Sequence, residues 1–445
     1  MSRFAVAATR HPGETRALAT DAEGRAREVR LFRGTPESAE GAIWRGRVVG
    51  TLVAARAVLV DVGGPVPGLL PLAEWRGEAP AEGAAVAVMI ARPARAEKGP
   101  RLTGRIRLAT PRLIFSPFRA GASVSRRLGP DEARRLLAWA EAGARPGEGW
   151  VARGAAAGFA DAVLERDRER LRRRWDEIQG KSAEPGGVSL LRGAPDPFAE
   201  WLAEFGADLA SVSVSGGVLT HAARGVLVER VPLLASLGDP FAEAGGEDAL
   251  ADALRPVVPL AGGGRLILEA TRAFLAVDVD TGGATEPDAA RRVNDAAIDA
   301  LAKELVLRNI GGGMVIDAVP EARKGATEAQ RRRLVERLRA AGDPRLSVTG
   351  WTPAGRIEAV RERRGLSLAE TVFGDTLGDG DAATETAALA ALREWVAAAK
   401  AGPAPRPALP PAVAGWLEGP GRGAAAEAEA MTGARFAWRV GGGET

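Results

Sequence analysis

Residues 265–318 constrain the fold most tightly, because they set three carboxylates at the ends of two strands joined by a helix. In RLILEATRAFLAVDVDTGG, Leu275, Val277 and Val279 alternate with Ala276, Asp278 and Asp280, and this period of two puts both aspartates on one face. Val293, Ala297, Ile298, Leu301 and Leu305 then fall at helical spacing, with Pro287 and Asp288 suited to the helix start and Gly311 to its end. NIGGGMVIDAV returns as a second strand that ends on Asp317. Such a crossover makes the strands parallel and brings Asp278, Asp280 and Asp317 to one edge, where ligands sit in open α/β sheets. Carboxylates converging there repel one another unless a cation lies between them, and hard oxygen ligands suit Mg²⁺ or Mn²⁺. Any one of these aspartates alone also fits a helix cap or a turn. Three at one edge favour a metal site.

Composition narrows the partners. Lys and Arg total 60 against 57 acidic residues, a net charge of only +3, so affinity for nucleic acid has to come from clustered charge. The chain has no cysteine, which excludes disulfides and thiolate zinc sites, and its two histidines, His11 and His221, make imidazole chemistry a poor expectation. No apolar run reaches spanning length and no leader pattern is evident, so a soluble, cytoplasmic protein without a membrane partner is expected.

Six segments are legible along the 445 residues. Residues 1–38 contain strands broken by HPGET and DAEG, consistent with a hairpin that pairs with a later part of the chain. Residues 39–109 hold short alternating strands between glycine and proline turns, the pattern of a small barrel such as an OB fold. Residues 110–185 end in DAVLERDRERLRRRWDEIQ, whose Arg/Glu run reads as a solvated helical face laced by i to i+4 pairs. Residues 186–253 form an α/β piece. Residues 254–400 hold the crossover, a basic helix AQRRRLVERLRAA, the strand RLSVTGW and a final helix. At 401–445 a proline-rich linker, AGPAPRPALPP, precedes a small terminal element. No internal repeat is present, and the GGG runs lack the Gly-Lys-Ser/Thr of a phosphate loop.

The stretches AVDVDTGGATE and VNDAAIDALAKELVLRNIGGGMVIDAV resemble the catalytic segment of the bacterial ribonuclease E/G family, in its short, ribonuclease G-like form. PGETRAL, GAIWRGRVVGTLVAARAVLVDVGG, KGPRLTGRI, RAGASVSRRL, WVARGAA and GRIEAVRERRGLSL have counterparts in the same order. The resemblance implies an α/β multidomain fold in which an OB-fold RNA-binding barrel (39–109) is inserted in an RNase H-like (1–38 and 186–253) and DNase I-like (254–400) catalytic region, with a 5′-sensor region at 110–185. It further implies a Mg²⁺-dependent endoribonuclease that cuts single-stranded RNA, in RNA processing or decay, and leaves 5′-phosphate and 3′-hydroxyl ends.

Carried onto this sequence, the family's metal ligands are Asp278 and Asp317. Asp280 stands where the family has asparagine, and Pro320 where it has aspartate. Leu59 and Leu69 occupy positions that usually stack aromatics on bases, Lys98 matches a basic RNA contact, and Arg126 and Arg127 track the RNA backbone. A pocket for a 5′-monophosphate would use Arg153 and Arg345, with Gly154 in place of a threonine and backbone near Thr110 and Ile114. The family's cysteine-bearing zinc link is replaced by FGDTLGDGDAATET, so no zinc is expected, and a monomer or a dimer held by other surfaces follows. The alternative is an RNA-binding paralogue with weakened cleavage that acts in ribosome or transcript handling. A metal-dependent DNA nuclease would share the carboxylates but needs neither barrel nor sensor.

Overall fold

The alternating strands of the first hundred residues close on themselves. In the computed structural model, which describes residues 3–94, 98–126, 128–227, 231–271, 273–283, 286, 288–321, 326–374 and 383–441, Ile43–Leu52, Ala57–Asp61, Gly68–Pro71, Arg101–Thr103 and Ala85–Arg92 are neighbours in that order. Ala85–Arg92 pairs back onto Ile43–Leu52 and closes a five-stranded barrel, consistent with an OB-like fold. The length of Ile43–Leu52 makes closure possible, since its first half pairs with Ala85–Arg92 and its second with Ala57–Asp61. Val48, Val58, Val60, Leu70, Val86, Val88, Ile90 and Leu102 fill the interior. Their alternates point outward.

The chain divides into two units, residues 1–10 with 32–239, and residues 11–31 with 240–445. Besides the barrel, the first unit contains a four-stranded sheet of Gly121–Val124, Gly149–Ala152, Leu113–Ser116 and Leu108–Ala109. Helices Pro130–Ala142 and Asp161–Ala183 bury Leu136, Leu164 and Leu171 against its Phe115 and Trp150. A separate run of parallel strands joins Phe4–His11 to Leu209–Ser215 and that to Leu233–Ser236. Strand Ser189–Arg192 pairs antiparallel with the barrel strand Ile43–Leu52.

The charged helix Asp161–Ala183 departs from the expected solvated face, because Asp167 and Arg168 are buried in it. The Arg168 guanidinium lies 3.7 Å over the Trp139 ring, and Arg172 pairs with Glu148 at 2.6 Å. Long arginine stems lie along aromatic surface while their heads find carbonyls and carboxylates, so a run that is polar in sequence packs as if it were amphipathic.

In the second unit a six-stranded sheet runs Val257–Pro259, Arg265–Ala270, Leu275–Asp280, Gly312–Asp317, Ile357–Arg361, Leu346–Trp351. Leu275–Asp280 and Gly312–Asp317 are parallel, joined by helix Ala289–Leu307, and the flanking pairs are antiparallel. Ala289–Leu307 and helix Ala326–Ala340 cover one face, where Leu266, Val277, Val279, Leu301, Ile316, Leu334 and Ile357 form the core. Each such side chain contributes roughly 1.5–3 kcal/mol on burial, enough to fix which face of the sheet turns inward. The hairpin Glu14–Thr20 and Ala26–Arg33 contributes Leu18 and Val29 to a smaller core with Phe241 and Leu250.

The proline-rich segment is not a free tether. Ala408–Leu409 pairs with Arg439–Val440, Pro411 opens helix Pro411–Glu418, and the Trp395 indole N–H donates to Pro405 O at 2.9 Å. Leu409, Val413 and Leu417 are buried with Leu392 and Phe436 of this helical terminus. Proline at the first helical position is a start signal, and here it prevails over the linker composition of the segment. No helix among the described residues is long and apolar enough to cross a membrane.

Candidate active site and RNA-facing surfaces

Asp278 and Asp317 are register partners across the two parallel strands. Adjacent strands lie about 4.8 Å apart, and register partners point to the same side of the sheet. Val277 and Ile316, one residue back, point into the helix-covered core, so both carboxylates stand on the opposite, open face. Asp278 is exposed and makes no hydrogen bond or ion pair among the described residues, and Asp317 receives one Arg356 N–H at 3.1 Å. Asp280 shares the face but turns to Arg265, its register partner on the next strand, with contacts of 2.8 and 2.5 Å. Its other oxygen accepts from the Gly282 N–H at 2.8 Å, and this bond, followed by the Arg265 guanidinium, holds the carboxyl below its ordinary range.

Thus two of the three expected aspartates come together and the third is engaged by an arginine. Among the described residues no three acidic or imidazole side chains come close enough to hold an ion. Two carboxylates nonetheless suit Mg²⁺, which keeps several waters and commonly takes one or two protein carboxylates plus substrate phosphate. Asp278 and Asp317 are the residues that would hold it. Pro320 is exposed and offers no side-chain oxygen.

Groups that position this edge escaped the sequence reading. Asn294, fully buried in helix Ala289–Leu307, donates to Val319 O at 2.8 Å and accepts from Val319 N–H at 3.0 Å. Gln330 donates to the same carbonyl at 2.8 Å. The two amides clamp the chain just beyond Asp317. A signal was present, since Asn294 sits beside Val293 in the apolar stripe, where a polar side chain must have a partner. Arg265 and Arg356 had none, because only register places them opposite carboxylates.

On the barrel, Leu59 and Leu69 are cross-strand partners facing outward, and Leu69 is also opposite Arg101. Lys98 is exposed, close in sequence to Pro100, whose carbonyl accepts the Leu69 N–H at 2.8 Å. These residues make an aliphatic strip bordered by cations. Arg126 is exposed, and Arg127 lies outside the described residues, as do Pro287 and residues 375–382 of the segment replacing the zinc link.

The residues expected around a 5′-phosphate divide between the units. Arg153 follows strand Gly149–Ala152 and donates to Thr110 O at 3.1 Å and to the Glu200 carboxylate. Ile114 is paired with Val151 of the same strand. Gly154 has an ordinary φ, and a side chain there would meet only the Ser125 hydroxyl, at 3.8 Å. Burial pushes the Glu200 carboxyl up, and the neighbouring Arg153 opposes that shift. Arg345 belongs to the second unit, where its side chain is 8% exposed and lies 3.5 Å from Asp343. Asp343 also accepts from buried Arg361 at 2.6 Å. Both arginines therefore have internal anions.

The fold and this edge define a class, the barrel-bearing α/β proteins with an acidic pair at the ends of two parallel strands. Residues 107–364, more than half of the chain, match the Ribonuclease E/G family, and the chain belongs to it. It is 28% identical over 392 residues to Ribonuclease G of Haemophilus influenzae, covering 80% of this chain and 79% of that one. It is 27% identical over 399 residues to Ribonuclease G of Escherichia coli (strain K12), with 80% and 79% covered. Against Ribonuclease E of Nostoc sp. identity is 29% over 375 residues, covering 76% of this chain but 53% of that longer relative.

Proposed function

We propose that this protein is a Mg²⁺-dependent endoribonuclease, able to use Mn²⁺, that cuts single-stranded RNA internally in RNA processing and leaves 5′-phosphate and 3′-hydroxyl ends. The observation that carries this reading is the register of Asp278 opposite Asp317 on the open face of the sheet. When bound there, the ion would supply an activated water and a clamp on a nonbridging phosphoryl oxygen. Arg265 and Arg356 place two guanidiniums on the same face, where they neutralise charge on the scissile phosphate as it develops. Asn294 and Gln330 keep the end of the Asp317 strand in place.

The same proposal takes the six-stranded sheet as DNase I-like and the parallel strands of the first unit as RNase H-like, and it takes cytoplasm as the setting. RNA crosses the barrel along Leu59, Leu69, Arg101 and Lys98, held by charge and aliphatic contact rather than by stacking. A 5′-monophosphate engages Arg153 by displacing Glu200. Assembly is as a monomer or a dimer without zinc.

One observation favours the alternative of a weakened, RNA-binding paralogue in ribosome or transcript handling. Arg265 and Arg356 already pair with Asp280 and Asp317. Incubating pure protein with end-labelled single-stranded RNA or DNA, with Mg²⁺ or with EDTA, separates the readings. Metal-dependent internal cuts in RNA alone support the enzyme. Binding without cutting supports the paralogue, and DNA cutting overturns both.

A further inference from the structure

Helix Asp161–Ala183 packs on strand Ser189–Arg192 through Leu171, Ile178 and Leu191, and Arg170, Arg174 and Arg192 stand on these two packed elements. Arg170 and Arg174 are one turn apart on the helix, and among the cations their charges act most strongly on Arg192. Arg174 and Arg192 are half-buried and make no hydrogen bond or ion pair among the described residues. Arg170 donates to Asp167 at 2.9 Å, but its Nε is buried without a partner. Asp167 is already spent, since its other oxygen takes Arg112 at 2.7 Å and Thr110. Glu200, the next carboxylate, holds Arg153, and Glu177 is exposed. Burial, then repulsion from Arg174 and Arg170, pushes the Arg192 guanidinium down to about 10.

Partly desolvated cations short of carboxylate partners cost folding free energy, and each presents up to five N–H donors. A tetrahedral oxyanion meets both needs, because several guanidiniums can converge on its oxygens. The position also suits a nucleic acid strand, since Ser189–Arg192 extends the barrel sheet.

We propose that Arg170, Arg174 and Arg192 form a phosphate-binding subsite, separate from the metal edge and from Arg153, that holds an internal backbone phosphate of single-stranded RNA. The identity of the carrier rests on the ribonuclease reading, whereas the phosphate site itself does not.

The test compares wild type with Arg174→Gln/Arg192→Gln, and with Arg174→Lys/Arg192→Lys, which keeps the charge. Thermal melts with inorganic phosphate, matched in ionic strength with chloride, should show a rise in wild type that the glutamine variant lacks, while that variant alone melts no lower than wild type. Binding of a non-cleavable 2′-O-methyl RNA with a 5′-hydroxyl end should weaken roughly 10- to 100-fold in the glutamine variant, as expected when charge-assisted contacts are lost. The salt dependence of that binding should fall by about 0.7 in log–log slope, one phosphate's share, and the lysine variant should keep most of it. Equal phosphate protection of both proteins, or a variant that melts lower yet binds RNA normally, would show that the arginines only pack. A lost phosphate response with unchanged RNA affinity would overturn the RNA assignment. Wild type that binds RNA but never cuts it with Mg²⁺ would sink the ribonuclease reading and leave the RNA-phosphate assignment standing.

Discussion

Asp278→Asn separates a catalytic carboxylate from a structural one, because the two roles give opposite signs in stability. Asp278 and Asp317 lie on strands about 4.8 Å apart, and two charges at that spacing repel by about 1 kcal/mol in water and about 3–4 kcal/mol at an effective dielectric of 20. Asp278 is exposed and Arg356 partly neutralises Asp317, so the lower end applies. Without metal the variant should be as stable as wild type or more stable by less than about 1 kcal/mol. With Mg²⁺ at a hundred times its dissociation constant, wild type should gain about 2.7 kcal/mol and the variant much less. Cleavage should fall at least about a thousandfold, since a metal supplies several kcal/mol of transition-state stabilisation. Urea titrations with and without Mg²⁺, beside a single-turnover cleavage assay, give all three quantities. A variant destabilised by more than about 2 kcal/mol without metal, or one that keeps its Mg²⁺ response and its rate, would refute the assignment.

Three further outcomes are expected. Glu200→Gln should release Arg153 and raise the ratio of cleavage rates on 5′-monophosphorylated over 5′-hydroxylated RNA; because burial raises the Glu200 carboxyl, the wild-type ratio should also climb as pH falls toward that raised value, and a ratio indifferent to both changes sinks the pocket. Asp343→Asn should cost about 3–5 kcal/mol in denaturant melts by leaving Arg345 and Arg361 without their shared anion. Burial alone would lift the Asp343 carboxyl, but the Arg361 hydrogen bond and the Arg345 N–H together hold it low, so its contribution is full above the unfolded carboxylate range and lost as pH falls through the folded value; an acid limb identical in wild type and variant would contradict this. Leu59→Phe should tighten single-stranded RNA by up to about 1–3 kcal/mol in anisotropy titrations, and unchanged binding would mean that RNA does not cross that face.

The sequence was most readable where period and chemistry agreed. Val277 and Val279 against Asp278 and Asp280 gave strand, face and edge together, and the stripe from Val293 to Leu305 gave the crossover that makes the strands parallel. The barrel strands were legible for the same reason, but not the extension by Ser189–Arg192, which is remote in sequence and has only four residues. Pairing across long separations leaves no local mark. For that reason Arg265 and Arg356 could not be assigned to Asp280 and Asp317 beforehand. The proline-rich stretch misled because composition speaks for linkers, while Leu409, Val413 and Leu417, spaced four apart and buried, speak for packing.

Arginine use ties the surfaces together. Arginine supplies nearly all of the 60 basic residues, yet the net charge is +3, and many guanidiniums pair with carboxylates of this same chain. Arg112 with Asp167, Arg172 with Glu148 and Arg361 with Asp343 are such pairs, and burial makes them costly to break without making them a source of affinity. A surface contact to RNA gains from a cation only if that cation is not already matched. By that criterion the barrel strip at Arg101 and Lys98, Arg126, and Arg174 with Arg192 are where phosphate affinity should concentrate, while Arg153 must first give up Glu200. Affinity for RNA ends would then depend on pH through Glu200, and affinity for the backbone would depend on salt through the barrel strip and the Arg174 and Arg192 pair. Measuring both dependences on one protein distinguishes the two sites without any mutation.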